Sequence, residues 1–265
     1  MAPPSEPTLR NIHVLVTRPE DQQQNLVELI KHEGGDAFRF PTIEIAPTEY
    51  QQQLHETLRH LERFNLAVFI SPNAAQFVFE ALSDLGLRLP DSLLLACVGK
   101  GCARAVEEQG YTVHAMPVSG IGSEGLLKHE LMQVMQGKRV VIFRGNGGRE
   151  LLADSLRERG AEVEYCECYR RKAPDVDAGP LVKQWRDGDI QVVTITSTQA
   201  LKNLKQMIGE DAVDLLQGTP LIALSERIGE VATGMGCRDV WVTGDTSDVA
   251  IVDAIKQWRL KQNSI

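Results

Sequence analysis

The stretch Lys138–Pro174, KRVVIFRGNGGRELLADSLRERGAEVEYCECYRRKAP, decides the fold. Arg139–Phe143 predicts a strand, Arg144–Gly148 a polar Gly-rich turn and Glu150–Arg159 a helix. Gly160 stops the helix, and a second strand runs to Tyr169. An earlier copy stands at His13–Pro47, HVLVTRPEDQQQNLVELIKHEGGDAFRFPTIEIAP, with strand, arginine, turn, helix, glycine and strand in the same order. Arg18 and Arg144 are 126 positions apart, as are Gly34 and Gly160. The same offset relates Ser71 to Ser197, Leu95 to Leu221 and Gly110 to Gly236, and only the last segment slips, by two residues. The chain is therefore two copies of one βα-repeating unit.

At 265 residues there is room for two domains with cores of their own. Apolar content of 43% and charged content of 24% belong to a globular chain. The longest apolar runs, Leu66–Ile70 and Leu93–Val98, fall far short of a membrane span. The N-terminal MAPPSEPTLR has no signal-peptide pattern and reads as a disordered leader, so the expected compartment is the cytoplasm. Five cysteines without a CxxC pair predict small buried apolar residues, although Cys166 and Cys168 share one face of a strand. A net charge of −8 with no basic block argues against nucleic acid and membrane surfaces as partners, but leaves an anionic small molecule open.

Along the chain, strands are expected at Ile12–Val16, Leu66–Ile70, Leu93–Val98, Tyr111–Ala115, Ile190–Thr196, Leu221–Leu224 and Val240–Val242. Helices are expected at about 21–32, 54–63, 74–85, through Glu108, 123–136, 197–208, 226–233 and 248–262. Pro41 and Pro47 argue against a central strand over Ala37–Ile45. Alternation of this kind means parallel sheets with helices on both faces, the α/β class.

Ligands of such sheets bind beyond the carboxyl ends of the strands. Eight turns there share one chemistry: 17–18, 71–73, 99–101, 119–123, 144–148, 196–198, 225 and 243–247 are short and hydroxylic, basic or Gly-rich, and each opens a helix. Any one of them can be a plain helix cap. Eight together predict a site for several anionic groups, because helix N-termini carry unpaired N–H groups and partial positive charge. The candidate binding residues are Thr17, Arg18, Ser71, Asn73, Gly99, Lys100, Gly101, Cys102, Ser123, Arg144, Gly145, Arg149, Ser197, Thr198 and Ser225. The sharper templates fail: Gly145–Glu150 is not GxGxxG, His55–His60 is HExxxH and not HExxH, and neither GxxxxGK[ST] nor GxSxG occurs. No metal is expected.

Val16–Pro19 (VTRP), Phe40–Pro47 (FPTIEIAP), Phe69–Asn73 (FISPN), Val98-Gly99 with Ala103, Arg144–Glu150, and Tyr169 before Arg170 together resemble the uroporphyrinogen-III synthase family over about residues 12–258. The resemblance implies two flavodoxin-like α/β domains with internal duplication, joined by a two-stranded linker. In this numbering, domain one is 1–37 with 173–265, domain two is 45–164, and the linker strands are 38–44 and 165–172. It implies closure of the linear tetrapyrrole hydroxymethylbilane, which carries eight carboxylates, to uroporphyrinogen III in an interdomain cleft. Water is lost and the last pyrrole ring inverted, a hydro-lyase step of heme biosynthesis carried out by a monomer without a cofactor. It also implies that Tyr169 faces the cleft as a catalytic proton donor. The family's Val-Gly-x-x-Thr pattern reads Val98-Gly-Lys-Gly-Cys102 here, so the usual hydroxyl is missing.

The alternative class is a two-lobed binding protein for an anionic small molecule, which would carry an export signal or a fused effector; the sequence shows neither. A nucleotide-sugar transferase would run longer and carry a nucleotide site.

Overall fold

A computed structural model describes residues 8–119 and 122–262. Strand β1 (His13–Val16), helix α1 (Gln24–His32) and β2 (Asp36–Arg39) come first. There follow β3 (Glu44–Pro47), α2 (Gln51–Arg59), β4 (Leu66–Phe69), α3 (Pro72–Asp84), β5 (Leu94–Cys97), α4 (Lys100–Glu107) and the short α5 (Gly122–Leu126). Next are β6 (Arg139–Gly145), α6 (Leu151–Glu158) and the long β7 (Glu162–Lys172). The chain closes with α7 (Gly179–Arg186), β8 (Val192–Ile195), α8 (Thr198–Ile208), α9 (Val213–Gly218), β9 (Leu221–Ala223), α10 (Glu226–Gly234), β10 (Val240–Val242) and α11 (Asp248–Gln262).

These elements form two compact units, one from residues up to Glu44 together with Lys172 onward, the other Ile45–Arg171. The first unit holds a five-stranded sheet of order β10-β9-β8-β1-β2, the second one of order β3-β7-β6-β4-β5. β1 runs parallel to β2 and β8, and β6 runs parallel to β4 and β7. The opening βα segment of each sequence copy thus lies in the sheet built from the other copy's later strands. Sequence pattern alone would cut the chain at the repeat boundary near 136, and the pairing Val14↔Val192 overrules that cut.

Period-two alternation explains both cores. In β6, Val141 and Phe143 face one hydrophobic cluster while Val140 and Ile142 face another. In β1, Leu15 faces one side and Val14 and Val16 the other. Strands buried on both faces are the continuous apolar runs that parallel sheets require. The matched glycines Gly34 and Gly160 sit at φ +80° and +88°, in the left-handed region that ends a helix without a Cβ penalty.

Four expectations are corrected. Leu9, placed in a leader, is fully buried and donates its N–H to the Glu33 carbonyl at 2.9 Å; residues 1–7 lie outside the described residues. The helix expected over 123–136 ends at Leu126 and resumes only as a 3₁₀ turn at Glu130–Met132. His129 Nδ1 accepts the Leu131 N–H, and the Gln133 amide caps the Leu127 and His129 carbonyls, so the chain is tied off mid-way. Gly120 and Ile121, in the turn expected over 119–123, lie outside the described residues. The strand expected at Tyr111–Ala115 is a single bridge from Ala115 to Ala96. Helix α7 was not foreseen: Asp177 accepts the Gly179 N–H at 2.8 Å at its start, and Leu181 and Trp185, four apart, are buried.

Candidate active site

The helix-opening turns are built alike in both units. Ser71 and Ser197 have extended backbones, and their hydroxyls accept the Ala74 and Ala200 N–H groups, each at 3.0 Å. Each satisfies one first-turn donor and leaves others open beside Asn73 and Thr198, which are half-buried. Ser225 has the same extended backbone at the start of α10, but its side chain makes no capping bond. Gly99 opens α4 in extended conformation, with Lys100 and Gly101 exposed in the first turn.

Three candidates are committed elsewhere. Thr17 is fully buried, and its hydroxyl donates to the Thr194 carbonyl at 2.7 Å, stitching β1 to β8. It therefore offers no side-chain donor. Cys102 is buried with its thiol donating to the Phe69 carbonyl at 3.3 Å, which leaves only backbone N–H groups at that turn. Arg18 is paired with Asp248, both side chains 13% exposed, and Asn25 holds the second carboxylate oxygen at 2.6 Å.

In the second unit, Ser123, Arg144 and Arg149 line one cavity of about 250 Å³ with an apolar floor of Ile70, Val98, Ile142 and Leu152. The Arg144 side chain is 4% exposed. Its Nε donates to the Gly147 carbonyl at 3.2 Å and its Nη1 to Glu150 at 3.1 Å, and the guanidinium lies 4.3 Å above the Tyr165 ring. The Tyr165 hydroxyl is buried without a hydrogen-bond partner among the described residues, in the field of the Glu150 carboxylate. Burial first, then Glu150, pushes that phenol up to about 12, while Tyr165 and Arg144 hold Glu150 below the ordinary carboxylate range. Arg149 is exposed and pairs with Glu124 at 3.2 Å.

Tyr169 lies on the opposite face of the same sheet. The β6–β7 register shifts between Arg144↔Glu167 and Gly145↔Tyr169, a bulge that puts consecutive Cys168 and Tyr169 into one hydrophobic cluster. The Tyr169 ring stacks on Phe77 with centroids 5.9 Å apart. It also covers Gly145, where a Cβ would stand 2.6 Å from the ring. Tyr169 is fully buried. Only its hydroxyl reaches polar company, 3.1 Å from Ser71 Oγ and 3.0 Å from Arg171 Nη2. Cys166 and Cys168 are buried free thiols, and Cys168 donates to the Arg144 carbonyl at 3.3 Å. Burial raises both thiols, Cys166 to about 12, so neither is a ready nucleophile.

Arg171 and Asn146 were missed by sequence reasoning. Asn146 accepts the Arg171 N–H at 2.8 Å and donates its own N–H to the Tyr169 carbonyl at 3.1 Å, fixing both residues. The available signal was a glycine ending one strand opposite a tyrosine near the end of its neighbour, the place where a ring has room to lie flat.

The sequence model of a family described as "Uroporphyrinogen-III synthase HemD" matches residues 24–251. The uroporphyrinogen-III synthase of Escherichia coli K12 is 32% identical over 244 residues, covering 92% of this chain and 99% of its own. That of Proteus mirabilis is 34% identical over 193 residues, 72% of this chain and 96% of its own. Two solved structures share the fold at low identity. The Thermus thermophilus enzyme has a TM-score of 0.59 at 18% identity, over 95% of this chain and 99% of its own. The Helicobacter pylori enzyme also reaches 0.59, at 12% identity, over 94% and 100%. Among the described residues no helix is long and apolar enough to cross a membrane.

Proposed function

Because the chain belongs to the uroporphyrinogen-III synthase family, we propose that it closes hydroxymethylbilane to uroporphyrinogen III, losing water and inverting the last pyrrole ring. The observation that carries this reading is the match over residues 24–251, together with relatives above 30% identity along most of both chains. The two-lobed binding-protein alternative has no comparable support.

The chemistry asks for a hydro-lyase that works by positioning. The pyrrole nitrogen lone pair expels the hydroxyl of the hydroxymethyl group and leaves an electrophilic azafulvene. The substituted carbon of the last ring then attacks, through a spiro intermediate, provided the chain is folded to bring it there. The electron push comes from the substrate, so no cofactor is called for. The protein's part is to hold the carboxylates. The first turns of α3, α4, α8 and α10, at Ser71, Gly99–Gly101, Ser197 and Ser225, supply N–H groups and helix-dipole charge for this. At roughly 1.5–3 kcal/mol per charge-assisted hydrogen bond, a few such contacts suffice. Arg144, Ser123 and the apolar floor of their cavity offer a further place for an acidic side chain of the substrate. With both repeats in one chain, the active species is expected to be a monomer.

The test is to supply hydroxymethylbilane to the full chain and resolve the type III from the type I macrocycle. Enzyme-dependent type III product supports the reading; type I product alone refutes it.

A further inference from the structure

The hydrogen-bond chain at Ser71 has a direction, and that direction assigns roles sequence reasoning did not. A guanidinium has donors only. At 3.0 Å, Arg171 Nη2 therefore donates and the Tyr169 oxygen accepts. The Tyr169 O–H is left to donate to its other neighbour, Ser71 Oγ, at 3.1 Å. Ser71 Oγ also accepts the Ala74 N–H at 3.0 Å. A serine oxygen has two lone pairs and one proton. With Tyr169 and Ala74 filling the lone pairs, the Ser71 proton is the unassigned member of the set. Tyr169 is fully buried, whereas Ser71 is half-buried at the mouth of the turn.

We propose that Ser71, and not Tyr169 itself, presents the proton to the departing hydroxyl, that Tyr169 resupplies Ser71 with its own proton, and that Arg171 is a positioning residue that fixes the direction of the chain. The inference rests on the reaction proposed above. As the C–O bond breaks, its electron pair leaves with oxygen. Ser71 gives its proton to that oxygen to form water and takes the Tyr169 proton in the same movement. The negative charge comes to rest on the Tyr169 oxygen, against the Arg171 guanidinium. The proton that the pyrrole framework sheds when it regains aromaticity returns along the same path, so the enzyme is restored and only water is lost.

The surroundings are built for this arrangement. The Arg171 guanidinium carbon stands 5.5 Å from the Tyr169 ring centroid, and Asn146 holds the Tyr169 carbonyl and the Arg171 N–H, the backbone groups on either side of Arg170. Gly145 gives the ring its seat. The neighbouring cations are occupied otherwise: Arg170 pairs with Glu49, and Lys172 with Glu44 at 3.4 Å.

Steady-state kinetics of the full chain tests the assignment. Ser71→Ala and Tyr169→Phe are each expected to lower kcat about tenfold or somewhat more, at or below the low end for general acid catalysis, with KM within about twofold. Arg171→Met should lower kcat similarly in the wild-type background but by less than about twofold in Tyr169→Phe, because it acts through that hydroxyl. Arg171→Lys and Ser71→Thr should recover part of the loss. A rise in KM alone on Arg171→Met would make Arg171 a carboxylate ligand and overturn the proposal. Equal effects of Arg171→Met in both backgrounds would also overturn it.

A second measurement needs no turnover. In the free protein the Tyr169 hydroxyl proton should exchange slowly and show an NMR Overhauser contact to the Ser71 β-protons. Its absence would remove the direction assigned to the chain. Wild-type protein that forms no type III product would instead sink the functional reading, leaving the NMR result to judge the hydrogen bonds on their own.

Discussion

Ser71 and Ser197 stand at the same place in two copies of one unit, and each caps a helix through an alanine N–H at the same 3.0 Å. Their second neighbours differ. Ser71 has the Tyr169 hydroxyl, while the residue 126 positions before Tyr169 is Ile43, an apolar side chain 8% exposed. Gly145, which seats the tyrosine ring, has Pro19 as its counterpart, and Arg171 has Ile45. The matched arginines also diverge: Arg18 is paired with Asp248, Arg144 with Glu150 above an aromatic ring. The comparison teaches that both units keep the serine-capped helix start and that one of them carries the hydroxyl chain as well.

The largest effect expected from testing that asymmetry is at Gly145. Gly145→Val places side-chain atoms where a Cβ already stands 2.6 Å from the Tyr169 ring. Overpacking of this kind costs about 1–3 kcal/mol, to be read from chemical denaturation. Turnover should fall at least as far as in Tyr169→Phe, because the hydroxyl leaves Ser71. Wild-type turnover here would separate the ring's placement from catalysis.

Next come Ser71→Asp and Ser197→Asp. Aspartate caps a helix as well as serine, so folding should hold in both. Each puts a negative charge beside the first-turn N–H groups proposed to hold a substrate carboxylate, and KM should rise about ten- to a hundredfold, the equivalent of roughly 1.5–3 kcal/mol. Only Ser71→Asp should also lower kcat, since only Ser71 joins the hydroxyl chain. Matching kinetic constants in the two variants would erase the distinction between the copies.

The smallest effect concerns the Arg144 cluster. Glu150 helps hold the Tyr165 phenol up at about 12, so Glu150→Gln should bring it down. It should stay above the ordinary 10, because burial is the larger cause. Absorbance titration of the phenol measures this. A phenol that does not move would mean that the carboxylate does not act on it.

Much of this was legible in the chain because repetition and alternation are local patterns. Val140–Phe143 reads as a doubly buried strand from four apolar residues, and Ser71-Pro72 reads as a helix start from cap chemistry. The shared offset fixed the unit and its count. The failures were of other kinds. Thr17 looks like a side-chain donor at a helix-opening turn, but a hydroxyl donates to whichever carbonyl the fold brings near, and here that is Thr194. The helix expected through Gln136 gave way to His129 and Gln133, whose side chains competed for its backbone groups.

The sequence by itself determined two copies of a βα unit, the positions of the caps and the family. The repeat pattern could not determine which copy's strands pair, because equivalent strands are equally good partners, and the exchange Val14↔Val192, implied only by the family resemblance, is a choice between near-identical neighbours. Nor could it place Tyr169: one skipped residue in the β6–β7 register turns that ring from one face of the sheet to the other. Only the tertiary structure decided that this phenol is buried, with its hydroxyl meeting Ser71 and Arg171, because a hydrogen-bond chain is defined by distances among residues far apart in sequence.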